Sequence, residues 1–180
     1  LHYRSHSFPT RRSSDLGISW IQEGGSIDGE AAGDEFGRTV SLNNDGTILA
    51  VGAIKNDGNG NMSGHVRVYH WDGSAWVQRG ADIDGEAVED QAAYVSLSSD
   101  GTVLAIGAPR NDGNSGDIND DRGHVRVFHW DGSNWVQRGA DIDGESGGTP
   151  TSPGDLSGNY LSLSDDGSTV AIGAFRNDGN

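Results

Sequence analysis

The sequence predicts an all-β fold of repeated four-stranded antiparallel sheets, and three observations carry that expectation. The block GHVRVYHWDGSAWVQRGADIDGE at 64–86 returns at 123–145 with only two positions changed, an offset of 59. Asp-Gly pairs separate short apolar runs in every copy, and both residues tolerate the positive φ that a tight hairpin needs. Glycine fills 29 of 180 positions against 4 prolines, while no window shows helical periodicity. Repeats decide the reading, because a repeated unit cannot be taken for one continuous domain.

Residues 1–16, LHYRSHSFPTRRSSDL, share none of the Gly/Asp vocabulary that fills the later chain. From His6 to Leu16 the string resembles the one-frame translation of a short-read sequencing adapter, so the natural protein is expected to begin at or after Gly17. No apolar run of the length a signal peptide needs is present there. Leaving this segment out moves the formal charge from −15 to −17.

Trp20, Ile21, Gln22 and Ile27 to Glu30 form a fainter copy of the Trp76 and Ile83 set, 56 residues earlier, and read as the last strand of one unit. In the next unit Thr39 to Leu42 alternates, Asp45-Gly46 turns, and Ile48 to Ala53 is apolar enough to be buried on both faces. Val66 and Val68 alternate with Arg67 and Tyr69, Asp72-Gly73 turns again, and Trp76 to Arg79 returns. The first half, TVSLNNDGTILAVGAI from Thr39, recurs from Tyr94 and from Tyr160 at offsets of 55 and 66. Insertions in the 111–122 and 146–159 loops absorb those unequal steps, which marks a strand scaffold with variable loops. Two hairpins per unit make a four-stranded antiparallel sheet, and a four-strand repeat of roughly 57 residues suits a β-propeller blade better than a solenoid.

Residues 17–180 thus read as a partial propeller of about three blades: the last strand of one, two full repeats, and half of another. Propellers close with ~4–8 blades, so a parent of at least about 230 residues is expected, with this fragment cut at both ends. The rest of that propeller would be needed to cover the outer blade faces, and 17–180 alone is expected to be marginally stable or prone to aggregate.

At Phe36-Gly37, Val51-Gly52-Ala53 and Ile106-Gly107-Ala108-Pro109 the unit resembles the FG-GAP repeat of integrin α-subunit propellers and bacterial surface proteins. Gly107-Ala108-Pro109 is a literal GAP, with Gly52-Ala53-Ile54 and Gly173-Ala174-Phe175 as its counterparts. Phe36-Gly37 appears once, and the sequence register sets Gln91-Ala92 and Ser157-Gly158 against it. The resemblance implies a secreted or cell-surface bacterial protein whose propeller serves adhesion or recognition, with no catalytic residues. Integrin members often hold Ca²⁺ in an acidic loop before the GAP strand. Here SLNNDGTIL puts Ser41 at the first carboxylate position and apolar residues at the last, and an apolar side chain cannot replace an oxygen ligand.

The acidic balance opposes nucleic acid as a partner, because contacts to phosphate run through Lys and Arg. No apolar stretch is long enough to span a membrane as a helix, and the absence of Cys excludes a disulfide framework. The metal candidate lies after the GAP strand, where Asp57, Asn59 and Asn61 place oxygen donors at alternate positions of a Gly-rich loop suited to Ca²⁺. Asp112 and Asn114 repeat the first two of these in the second unit. The alternative is a solvated loop that uses Asn and Asp for turns. The DIDGE strings at 82–86 and 141–145 offer paired carboxylates of the kind glycosidases use, but their recurrence in each unit speaks for a structural corner. His65, His70, His124 and His129 likewise sit at repeat-locked positions and read as packing residues. The expected function is a non-catalytic extracellular module for an unidentified protein or carbohydrate ligand. The runner-up is a propeller lectin or glycoside hydrolase whose site lies outside this fragment.

Overall fold

The computed structural model describes residues 11–13, 20–113, 120–149, 152 and 154–177. The adapter-like segment lies outside the described residues except at β1 (Arg11–Ser13), whose backbone pairs antiparallel with β2 (Trp20–Gln22). The first full unit comprises β3 (Phe36–Leu42), β4 (Ile48–Ala53), β5 (His65–Trp71), β6 (Trp76–Gln78) and β7 (Ile83–Asp84). The second comprises β8 (Tyr94–Leu97), β9 (Val103–Ala108), β10 (His124–Trp130), β11 (Trp135–Gln137) and β12 (Ile142–Asp143). The third contributes β13 (Tyr160–Leu163) and β14 (Val170–Gly173). Both full units are antiparallel meanders, β3-β4-β5-β6 and β8-β9-β10-β11, which are the blades of a β-propeller. One refinement to the four-strand expectation is a short fifth strand, since β7 and β12 pair with the opposite ends of β5 and β10. No helix occurs among the described residues, so none is long and apolar enough to cross a membrane.

The turns form where short polar side chains tie down the backbone. Asp45 Oδ1 accepts from the Thr47 amide at 2.9 Å, Asp100 does the same for Thr102, and Asp166 for Ser168. Across each hairpin mouth a second polar residue receives the amide that opens the returning strand: Asn43 from Ile48, Ser98 from Val103, Ser164 from Thr169. Three hydrogen bonds to hydroxyl and amide donors hold the Asp166 carboxyl down to about 2. These Asp-Gly loops are plain hairpin turns.

Strands β4 and β9 are buried along their whole length, as their unbroken apolar runs predicted. One core lies between the two full blades, joining Ile48, Ala50, Val66 and Val68 to Leu97, Leu104, Ile106 and Phe128. A second covers the other face of the first blade with Ile27, Phe36, Leu49, Val51 and Tyr69. Each blade is also stitched to the next by hydrogen bonds that repeat with the sequence. The Asn44 amide donates to Ser99 O at 2.9 Å and the Ser99 amide donates to Asp165 O at 2.8 Å. The glycine of the GAP strand is needed at this seam: a Cβ on Gly52 would strike the Ala93 carbonyl, and one on Gly107 the Gly158 carbonyl. Tyr160 and Phe175 on the third unit and Val40 and Leu42 on the first are exposed among the described residues.

The structure corrects the sequence register at one point. Gly29, Gly85 and Gly144 pack against Phe36, Ala92 and Ser157, and Glu35, Gln91 and Leu156 share a positive φ of 53 to 56°. Phe36-Gly37 therefore corresponds to Ala92-Ala93, not to Gln91-Ala92. One residue is left over: between Phe36 and Thr39 the β3 register shifts in a bulge that accommodates Arg38, and Asn159 takes the same place before Tyr160.

Candidate functional site

Strands β3, β8 and β13 are the neighbouring first strands of the three units, and a cavity of about 630 Å³ opens at their leading ends. Arg38, Arg110 and Arg176 line it together with Tyr94, Tyr160, Gln91 and Asn159. The repeat itself supplies part of this set, since Arg110 and Arg176 follow the GAP strand at equivalent positions while Tyr94 and Tyr160 open β8 and β13. The β3 bulge supplies Arg38, and Asn159 stands at the matching place before β13. A chain with 12 basic residues against 27 acidic ones thus brings three arginines to one cleft. Arg110 Nη1 lies 3.8 Å from Asp121 Oδ2 and Arg38 Nη1 lies 3.9 Å from Glu35 Oε2, so both guanidiniums keep donors for another anion. Burial raises the Tyr94 phenol above its ordinary range, with Arg38 pulling the other way, which keeps Tyr94 a neutral hydrogen-bond donor.

The residues of the first unit expected to bind Ca²⁺ are engaged in hydrogen bonds within their loop and to the 85–89 segment. Asp57 Oδ1 accepts from the Met62 amide at 2.8 Å, while the Asn59 amide group donates to the carbonyls of Gly85 and Glu86 at 2.9 Å each. The Asn61 carbonyl accepts from the Glu89 amide. In the second unit Asp112 Oδ1 accepts from the Asp121 amide at 3.0 Å, and Asn114 lies outside the described residues.

What the sequence reading missed is a polar clasp beside these loops. Buried Asp90 accepts from the Glu86 and Ala87 amides at 2.9 and 2.8 Å and from the Asn111 amide group at 3.1 Å. Asp34 with Asn56 and Asp155 with Asn177 repeat it. The signal was present as an Asp following each DGE and an Asn opening each NDG string.

His65 and His124 are buried while His70 and His129 are half-buried, and the two buried rings converge with carboxylates from two units. His65 Nδ1 lies 3.8 Å from Glu30 Oε2, 3.9 Å from Asp82 Oδ2 and 4.0 Å from Asp84 Oδ1. The DIDGE string of one unit thus sends its last acid forward, and its first acid meets the histidine of its own unit. His124 repeats the arrangement with Glu86 and Asp141. Burial pushes both imidazoles below their ordinary range, so they are neutral at pH 7. Arg67 pairs with Asp82 through Nε at 3.1 Å and Nη2 at 3.2 Å and also with Glu30. Arg126 differs: its Nη2 donates to the Asp84 carbonyl at 2.6 Å, and Nη1 stays 3.6 Å from Glu86 Oε1.

On the outer strands, Trp71 and Trp76 face each other across β5 and β6 with ring centroids 5.6 Å apart, and Trp130 and Trp135 repeat this at 5.5 Å. Trp135 Nε1 donates to the Arg79 carbonyl of the preceding blade, and the Arg79 guanidinium stands 4.7 Å over the Trp130 ring. These tryptophans are a seam between blades.

Comparison with known protein families gives one match: residues 27–69 fit the family model described as FG-GAP repeat. That span runs from the Ile27 corner through β3 and β4 to Tyr69 in β5, and the following unit repeats it. No curated protein matches the chain.

Proposed function

We propose that this chain, which carries the FG-GAP repeat, is a non-catalytic recognition module of a β-propeller that grips an anionic group on a protein or carbohydrate partner. The observation that carries the reading is the three-arginine cleft at the ends of β3, β8 and β13. Arginine presents planar paired donors that match a carboxylate or sulfate, and neutral phenols beside it add donors without charge. The described lining is arginine, tyrosine, threonine, amide and apolar side chains, which suits holding a ligand, whereas a hydrolase works through a carboxylate pair or an activated nucleophile. A cleft of about 630 Å³ takes a sugar ring or a loop side chain. The acidic composition and the repeat's resemblance to surface propellers support a place outside a bacterial cell.

Biolayer interferometry of the immobilised chain against polygalacturonate, polyglutamate and neutral dextran tests this. Retention of an anionic polymer, weakened by salt and lost in the combined Arg38→Ala, Arg110→Ala and Arg176→Ala variant, is expected. Retention of dextran alone, of none of the three, or equal retention by the variant refutes it.

A further inference from the structure

We propose that Glu86, His124 and Asp141 form a binding site for a divalent transition-metal cation of the Zn²⁺ or Mn²⁺ class, at the seam between the first two blades. Their ligand atoms lie within 4.8 Å of one another. His124 is 1% exposed, and its Nδ1 faces Glu86 Oε2 at 3.8 Å, past hydrogen-bonding reach. Its Nε2 has no hydrogen-bond partner among the described residues. A buried imidazole that meets carboxylates without bonding to them is spaced as a ligand is. Donors about 2.0–2.2 Å from a shared tetrahedral ion stand roughly 3.3–3.6 Å apart, so the 3.8 Å between His124 Nδ1 and Glu86 Oε2 closes onto an ion with a small shift of the exposed Glu86 side chain. The two carboxylates are partly exposed and leave an entry path, and Asn111 and Asp143 line the same recess of about 130 Å³ with further oxygens.

Ligand type selects the ion. Ca²⁺ and Mg²⁺ take all-oxygen shells, whereas one neutral imidazole with two carboxylates suits borderline ions. The orphaned Nε2 means that no outer acceptor supports the ring, which lowers affinity by about 10–100-fold against a supported imidazole.

The preceding unit supplies an internal control. Glu30, His65 and Asp82 repeat the same residue types, but there Arg67 lies on both carboxylates and its cation closes the cluster. Tyr69 helps hold Arg67 in place through its hydroxyl. Phe128 stands at that position in the second unit, one of the two changes in the repeated block. Arg126 lies over the Phe128 ring, spends Nη2 on the Asp84 carbonyl, and leaves Asp141 to the recess.

The experiment is titration of the untagged full chain with Co²⁺, read by visible absorption and calorimetry, with far-UV circular dichroism to verify folding. One Co²⁺ per chain, displaced by Zn²⁺, lost in the Glu86→Gln/Asp141→Asn double variant and kept in Asp82→Asn, is the expected result. Both substitutions fall on partly exposed side chains, so the fold tolerates them. No saturable binding, binding that survives the double variant, or binding lost equally in Asp82→Asn overturns the assignment.

Discussion

Ser96 Oγ accepts a hydrogen bond from the Leu163 amide of the following blade at 3.0 Å, and Ser41 does the same for Leu97. The serine of each first strand thereby satisfies an amide at the seam that would otherwise be partly buried without a partner. Ser96→Ala is expected to destabilise the chain by about 1–2 kcal/mol in urea unfolding. Ser162 occupies the equivalent place on the third unit, where no described strand of a following unit lies against it, and in the chain of residues 1–180 Ser162→Ala is expected to stay within about 0.5 kcal/mol. Equal losses would show that the serines act within their own strands.

The GAP glycine makes a sharper contrast. A methyl on Gly107 collides with the Gly158 carbonyl, while one on Gly173 comes no nearer than 3.2 Å to Tyr160 Cβ. Gly107→Ala is expected to cost about 3 kcal/mol and Gly173→Ala under 1, compared by the midpoint of urea unfolding. A tolerated Gly107→Ala would mean that the blades separate easily.

Asp90 is 1% exposed and receives three hydrogen bonds. Asp90→Ala strands those donors, with an expected loss of about 3–4 kcal/mol. Asn111→Ala removes only one of them and should lose about 1–2 kcal/mol. Thermal melts of both variants at one pH make the comparison.

His65 gives the chain a pH dependence of known sign. Burial depresses its pKa, Arg67 adds to that, and Asp82, Glu30 and Asp84 oppose it. Below 6.5 the unfolded chain binds a proton that the folded chain refuses, so stability is full above that value and falls as pH drops through it. The melting temperature is expected to drop between pH 7.5 and 5.5, and the His65 ring in NMR to titrate below 6.5 in the folded chain. A ring that titrates at or above 6.5 would contradict the burial argument.

Calcium has a direct test at the 57–61 loop. Asp57 already caps the Met62 amide, so Asp57→Ala is expected to lose about 1 kcal/mol equally in EDTA and in Ca²⁺. A melting temperature raised by Ca²⁺ in the parent chain and not in Asp57→Ala would instead establish these residues as ligands.

The fold was legible in the sequence wherever local chemistry decides it. The Asp45-Gly46 and Asp72-Gly73 turns and the doubly buried Ile48–Ala53 strand follow from residues within one hairpin. The Glu86, His124 and Asp141 cluster was not legible, because its members come from two units and only the blade-to-blade approach joins them. Arg38 escaped for a related reason. Its bulge leaves a one-residue change of offset between Asp34 and Thr39, and the flanking residues differ too much to reveal which position is extra. The arginine cleft needed both facts at once.

The seam contacts all point the same way along the chain: Ser41, Gly52 and Asn44 of one blade each meet a residue made later. During synthesis a blade therefore emerges with its own hairpins complete but waits for its seal until the next 55 to 66 residues have followed. At ordinary elongation speeds of about 5–20 residues per second that delay is roughly 3–13 s per blade. For that interval the apolar face of the newest blade stands open at the ribosome exit, and the hairpin turns alone must hold it in register.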